Sequence, residues 1–259
     1  MPYAHLDDGR LYYRTDGDRR NPCLLFSNSL GTDLGMWDAQ AAALAEDFHV
    51  VRYDTRGHGG SARGNGQAGI ARLGLDVLGL LDHLGIARTH FCGISMGGLT
   101  GQWLANHAPQ RVDKLVLANT AARIGNLDGW ATRAALVRVE GMGAVADGAA
   151  SRWFTMPFIA RQPAAVRHLI GQLRAQDAEG YAACCDALSR CDLRDQVQSI
   201  ASPTLVIAGR HDPVTTVADG EWLAGQVAGA QLAVLDASHL SNIEAVDEFT
   251  ALLRRFLPA

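Results

Sequence analysis

Apolar residues recur along this chain in two alternating patterns. Short unbroken runs read as buried strands: Cys23-Leu24-Leu25-Phe26-Ser27, Phe48 to Tyr53, Thr89 to Cys92, Lys114 to Leu117, Thr204 to Ala208 and Gln231 to Leu235. Between them lie helical patterns from Met36 to Ala45 and from Ile70 to Leu84. In the second, Leu73, Val77, Leu80, Leu81 and Leu84 recur at three- and four-residue spacing. Strands apolar on both faces and alternating with helices predict a mostly parallel sheet with helices on both faces, an α/β class. Residues 3–15 read as a hairpin turning at Asp8-Gly9, and a helix from Asn242 to Phe256 closes the chain.

The alternation stops after Asn119. From Ala121 to about Ser199 no strand is expected, only helical stretches at Trp130–Val139, Ala144–Trp153, Ala164–Leu173 and Glu179–Ser189. The sequence therefore reads as one core, residues 1–120 and 200–259, with a helical lid, residues 121–199, inserted before the strand at Thr204.

Composition narrows the classes of function. A chain of 259 residues, 48% hydrophobic, can bury one large α/β core carrying an insertion. A formal charge of −4 gives no basic footprint for nucleic acid or an anionic membrane. No apolar run approaches the length of a membrane span, and the first residues lack the basic region and long apolar core of a secretory signal. The five cysteines are odd in number, and Cys184, Cys185 and Cys191 have no second pair to complete a metal site. They fit reduced thiols. The expectation is a soluble, cytoplasmic protein with no metal, no nucleic-acid partner and no membrane partner.

The chemistry centres on Gly93-Ile94-Ser95-Met96-Gly97, set between a strand and the helical pattern Leu99 to Ala105. A serine on such a strand-to-helix turn stands out from the sheet, and the glycines let strand and helix approach closely. Ser95 is the candidate nucleophile. A serine hydroxyl needs a base to take its proton and an acid to hold that base. In this topology acid and base follow the serine, each just beyond a strand. Asp212, in Gly209-Arg210-His211-Asp212-Pro213, and His239, in Asp236-Ala237-Ser238-His239, occupy those places. His58 is the rival base. His83, His107 and His168 fall in helices, and His211 points away if Asp212 faces the site. Two amides must hold the oxyanion. The residue after the nucleophile, Met96, supplies one, and Leu30, in the loop after the first buried strand, is in register for the other. The stretch Asp54-Thr55-Arg56-Gly57-His58-Gly59 reads as scaffold bracing that loop.

These residues resemble the α/β-hydrolase superfamily over essentially the whole chain. Three stretches resemble one family within it, the 3-oxoadipate enol-lactonases: Ser27 to Trp37, Arg52 to Gly59, and Asn119 to Gly125 taken with Arg152-Trp153-Phe154-Thr155. Asn28-Ser29, where most of the superfamily carries His-Gly, is the most discriminating of these. Gln67-Ala68-Gly69-Ile70 departs from the family, whose members carry an aromatic and a threonine before the isoleucine. The resemblance implies a Ser-His-Asp hydrolase, without cofactor, acting on a small anionic enol-lactone in bacterial aromatic catabolism. Such a substrate needs a cation for its carboxylate and aromatic walls for its ring. Arg133 and Trp130, three apart on one helical face, fit that need; Trp153 is a second wall and Arg123 a second cation. Each could equally be a surface arginine or a packing tryptophan. A general carboxylesterase, lactonase or perhydrolase shares the triad, and a ligand receptor of the same fold can keep all three residues.

Overall fold

The computed structural model describes residues 2–65 and 69–257. Gln67 and Ala68 of the departing stretch, and the terminal residues 1 and 259 of the expected core, lie outside the described residues. Eight strands form one sheet: β1 (Tyr3–Leu6), β2 (Gly9–Asp16), β3 (Cys23–Ser27), β4 (His49–Tyr53), β5 (Thr89–Ile94), β6 (Val112–Ala118), β7 (Thr204–Gly209) and β8 (Gln231–Leu235), in the spatial order β1-β2-β4-β3-β5-β6-β7-β8. The β1–β2 and β2–β4 pairs are antiparallel and all others parallel. Every residue of β3, β4, β5 and β7 is buried, so both faces of the sheet centre are covered, as their unbroken apolar runs require.

The helices are α1 (Asp38–Leu44), α2 (Ile70–Leu84), α3 (Met96–His107), α4 (Leu127–Glu140), α5 (Gly143–Ala146), α6 (Ala149–Trp153), α7 (Met156–Arg161), α8 (Pro163–Arg174), α9 (Ala178–Ser189), α10 (Val217–Gln226), α11 (Ser241–Glu244) and α12 (Val246–Phe256). The predicted α2 keeps its expected bounds, because its apolar stripe is regular and Gly85 ends it in a left-handed cap. Two predicted helices are broken in the structure. The stretch 144–153 divides into α5 and α6 at Asp147-Gly148. The closing helix divides at Ala245, whose backbone (φ −121°, ψ 58°) is not helical. The short α7, with Thr155 capping it and Pro157 in its first turn, was not anticipated. Helices α4 to α9 all fall between β6 and β7, and α4 packs along α9.

Chain direction reverses across the sheet at β3. The chain leaves β3 for β4 on one side, then returns to β5 on the other. Loops leaving β3 and β5 therefore diverge and open a crevice beyond the carboxyl ends of the strands. Leu30 follows β3 and Ser95 follows β5, so the topology places both at that crevice.

Candidate active site

Ser95 sits between β5 and α3 with φ 57° and ψ −115°, a conformation few non-glycine residues adopt. Its surroundings hold it there. The Ser95 amide donates to the Ala118 carbonyl (3.1 Å), and the Thr120 hydroxyl donates to the Ser95 carbonyl (2.8 Å). A side chain on Gly93 would lie 2.3 Å from the Gly97 backbone, and one on Gly97 would lie 2.3 Å from the Ser27 carbonyl oxygen. These are backbone atoms of packed elements, so the glycines are required by close approach. Gly97→Ala is expected to push α3 off β3, lowering stability by roughly 2 kcal/mol or more and cutting turnover disproportionately. Thermal melting alongside initial rates checks this, and an unshifted Tm with full activity would contradict it.

His239 follows β8, and its Nδ1 lies 2.8 Å from Oδ2 of Asp212, which follows β7. The same oxygen accepts from Asn119 Nδ2 (3.0 Å) and the Thr215 hydroxyl (2.7 Å), while Oδ1 accepts from the amides of Val214 (2.7 Å) and Thr215 (3.1 Å). Burial alone would push the Asp212 carboxyl up. His239 and the converging donors outweigh it and hold the carboxyl below its usual range. A fixed carboxylate puts the proton of His239 on Nδ1 and leaves Nε2 free to act as base. Asn119 (φ 42°) also donates to the Ser238 carbonyl (3.1 Å) and accepts from the Ser241 hydroxyl (2.5 Å), so one side chain joins the ends of β6, β7 and β8.

The loop after β3 turns at Gly31 (φ 84°). Neither the Leu30 nor the Met96 amide donates to any acceptor among the described residues, while the neighbouring amides of Gly31 and Gly97 are both bonded. Asn28 anchors this loop, donating to the Tyr53 carbonyl (2.8 Å) and accepting from Trp37 Nε1 (3.0 Å). His58 is not the base. Its Nε2 accepts from the Gly31 amide (3.1 Å) and its Nδ1 faces the Arg56 carbonyl (3.2 Å), so Nδ1 carries the hydrogen and the ring is neutral. Burial pushes its pKa down to about 4.

An NMR titration should therefore find His58 neutral well below pH 6. Between the ordinary histidine value and about 4 the unfolded chain binds a proton that the folded chain refuses. The stability His58 contributes is thus lost as pH falls through that window. Burial pushes Asp54 up to about 6, although the amides of Leu34 and Gly60 that donate to its carboxylate pull it down, and it acts in the opposite sense. The site-resolved titration separates the two.

Ser95, His239 and Leu30 line one small cavity with Ser29, Trp130, Arg133, Val145, Arg152, Trp153, Leu173, Tyr181 and Val214. The Arg133 guanidinium lies 4.8 Å from the Trp130 ring centre, and the Trp130 ring nitrogen donates to the Ile124 carbonyl (2.6 Å). Arg123 is a correction: it does not line the cavity but stands half-buried beside Asp192 (3.5 Å), which also holds Arg194 (2.6 Å). Arg152, one residue from Trp153, lines the cavity instead. Arg152 donates to the Val145 carbonyl (2.8 Å), and burial and then the charge of Arg133 push its pKa down. Sequence reading missed Arg152, Tyr181, Asn119 and Thr215 as site residues. Arg152 stands within the Arg152-Trp153-Phe154-Thr155 resemblance, which was its one available signal. Among the described residues no cluster of three or more His, Cys, Asp or Glu side chains is placed to hold a metal.

A parallel sheet crossing over at β3, a strained serine on the β5–α3 turn and an Asp-His pair beyond β7 and β8 define a serine hydrolase architecture. Residues 22–246 match the alpha/beta hydrolase fold family, and the chain belongs to it. It is 49% identical to 3-oxoadipate enol-lactonase 2 of Acinetobacter baylyi, covering 99% of this chain and 100% of that protein. It is 43% identical to 3-oxoadipate enol-lactonase 1 of the same organism, over 95% and 92% of the two chains. A solved enol-lactonase from Burkholderia xenovorans superposes with a TM-score of 0.96 at 48% identity, covering 98% of this chain and 99% of its own. No helix among the described residues is long and apolar enough to cross a membrane.

Proposed function

We propose that this chain hydrolyses 3-oxoadipate enol-lactone to 3-oxoadipate, a step of bacterial aromatic catabolism, through a Ser95–His239–Asp212 triad. The observation that carries this substrate class is the pair Arg133 and Arg152. Both residues line the cavity that holds Ser95, and neither has a carboxylate partner among the described residues. Two uncompensated cations side by side repel each other, and an anionic ligand removes that cost. A site for neutral esters needs neither.

His239 Nε2 takes the Ser95 proton as the oxygen attacks the lactone carbonyl. The Leu30 and Met96 amides hold the tetrahedral oxyanion. Collapse breaks the ring C–O bond and expels an enolate oxygen, which takes the proton from His239. The resulting enol, still tethered through the acyl-enzyme, becomes a ketone, and this removes the nucleophile that would reclose the ring. Water, deprotonated by His239, then attacks the acyl carbon, and Ser95 leaves with its proton restored. Trp130 and Trp153 wall the ring, and the helices of residues 121–199 serve as the lid that carries them. We place the enzyme in the cytoplasm, a reading supported by five cysteines that are all buried free thiols.

The deciding experiment compares freshly generated lactone with p-nitrophenyl acetate for wild type, Arg133→Met and Arg152→Met. Each variant is expected to lose about 10²-fold in kcat/KM on the lactone, mostly through KM, and to stay within about 3-fold of wild type on the neutral ester. Equal losses on both substrates, or a wild type with no preference for the lactone, would sink the reading.

A further inference from the structure

The loop that carries His239 is tied on both sides to the end of α6 and, through Glu244 of α11, to Thr155. On one side the Ser238 amide donates to Glu244 Oε2 (2.8 Å), and the Ser238 hydroxyl lies 3.4 Å from the Arg152 carbonyl and 3.2 Å from the His211 carbonyl. On the other side the Leu240 amide donates to the Trp153 carbonyl (3.1 Å). Glu244 closes the connection. Its Oε1 accepts both the amide of Thr155 (3.2 Å) and the Thr155 hydroxyl, a short contact, while its Oε2 holds Ser238. One carboxylate thus takes donors from the lid at Thr155 and from the residue immediately before the candidate base.

We propose that Glu244 is a positioning residue that makes the lid segment 152–155 and the His239 loop one mechanical unit. Arg152 and Trp153 line the cavity from that segment, and His239 lines it from the loop. A force on Arg152, such as capture of a carboxylate, reaches His239 through the Arg152 carbonyl, the Trp153 carbonyl and the Thr155–Glu244–Ser238 bridge. These hydrogen bonds are part-buried and charge-assisted, which makes them shorter and stronger than neutral ones. The lid edge beside the base is therefore fixed to the catalytic loop, and opening for substrate must occur elsewhere. A vestibule formed by Ile124, Gly125, Asn126, Gly129 and Pro213 shares Trp130, Arg133, Arg152 and Val214 with the inner cavity.

The inference rests on the serine hydrolase reading of the site, and its test is built so that the two can fail separately. Ser95 is labelled with a neutral fluorophosphonate, which needs the serine and its base but neither the lid arginines nor the lactone. Glu244→Ala is expected to slow labelling about 10- to 100-fold and to lower kcat on the lactone similarly, with KM rising as Arg152 shifts. Glu244→Gln, which keeps an acceptor oxygen for Ser238, should recover most of the labelling rate. Thr155→Val leaves the carboxylate on Ser238 and should raise KM more than it lowers kcat. Labelling of Glu244→Ala within 2-fold of wild type, with only Tm reduced, would overturn the proposal. If Glu244→Ala does not fold, unchanged labelling and KM in Glu244→Gln and Thr155→Val would overturn it instead. A wild type that labels but leaves the lactone intact removes the proposed substrate, and the labelling series still decides Glu244. A wild type that does not label at all overturns both.

Discussion

Ser95→Ala abolishes lactone hydrolysis, with kcat expected to fall about 10⁵-fold or more. The loss is this large because the remaining groups are arranged around that one oxygen. Without it, the Leu30 and Met96 amides have no tetrahedral adduct to bind, and His239 has only water to activate. The fold should survive the change intact. The serine hydroxyl supports no packed neighbour, the position is held by the Ala118 and Thr120 contacts to its backbone, and alanine fills the same volume. Tm is therefore expected to stay within a degree or two of wild type. Rates on fresh lactone, read beside a melting curve, check both halves. More than a few per cent of wild-type turnover in Ser95→Ala would move the nucleophile elsewhere.

Asp212→Asn is expected to cost about 10⁴-fold in kcat with little change in KM. The reason lies in the donors around the carboxylate. Its two oxygens accept from His239, Asn119, Thr215 and the amides of Val214 and Thr215. An amide has only one oxygen to offer. If its NH2 faces His239, the imidazole must turn Nδ1 into an acceptor and carry its proton on Nε2, where it cannot take one from Ser95. If the NH2 faces the Val214 and Thr215 amides instead, donors meet donors and the loop after β7 is displaced. Either way the base is lost while the cavity keeps its arginines, so substrate still binds. A pH–rate profile and KM measured on the same preparation test this. A KM that rises as far as kcat falls would mean that the loop had collapsed.

Short-range chemistry points to Ser95, Asp212 and His239 from the sequence alone. Gly93 to Gly97 between a strand and a helix, Asp212 after one strand and His239 after the next are each readable within a few residues, because strand ends in a parallel sheet converge on one edge. Trp130 and Arg133 were legible for the same reason, as neighbours on one helical turn. The two lid arginines show where this stops. Arg123 and Arg152 look alike in sequence, both flanked by small or apolar residues near an expected helix. Only packing separates them: Asp192, far along the chain, holds Arg123 away, while Arg152, near the end of α6, lines the cavity that holds the serine.

The same distinction covers the supporting residues. Asn119 and Glu244 act through partners brought near by the sheet and the insert, 93 residues away for Asn119 and Asp212 and 89 for Thr155 and Glu244. His58, read as a rival base or as bracing, is assigned to bracing by the Gly31 amide it accepts from the opposite loop. The α/β class, the succession of strands and the chemistry at the strand ends are legible in the sequence, because periodicity and turn residues act over one or two turns of chain; α7 and α10 are not, and two expected helices are broken by residues that interrupt them. That Arg152 rather than Arg123 lines the cavity with the serine, and how the segment 152–155 is tied to the His239 loop, show only in the tertiary structure. Those features depend on which distant polar groups find one another when the core closes.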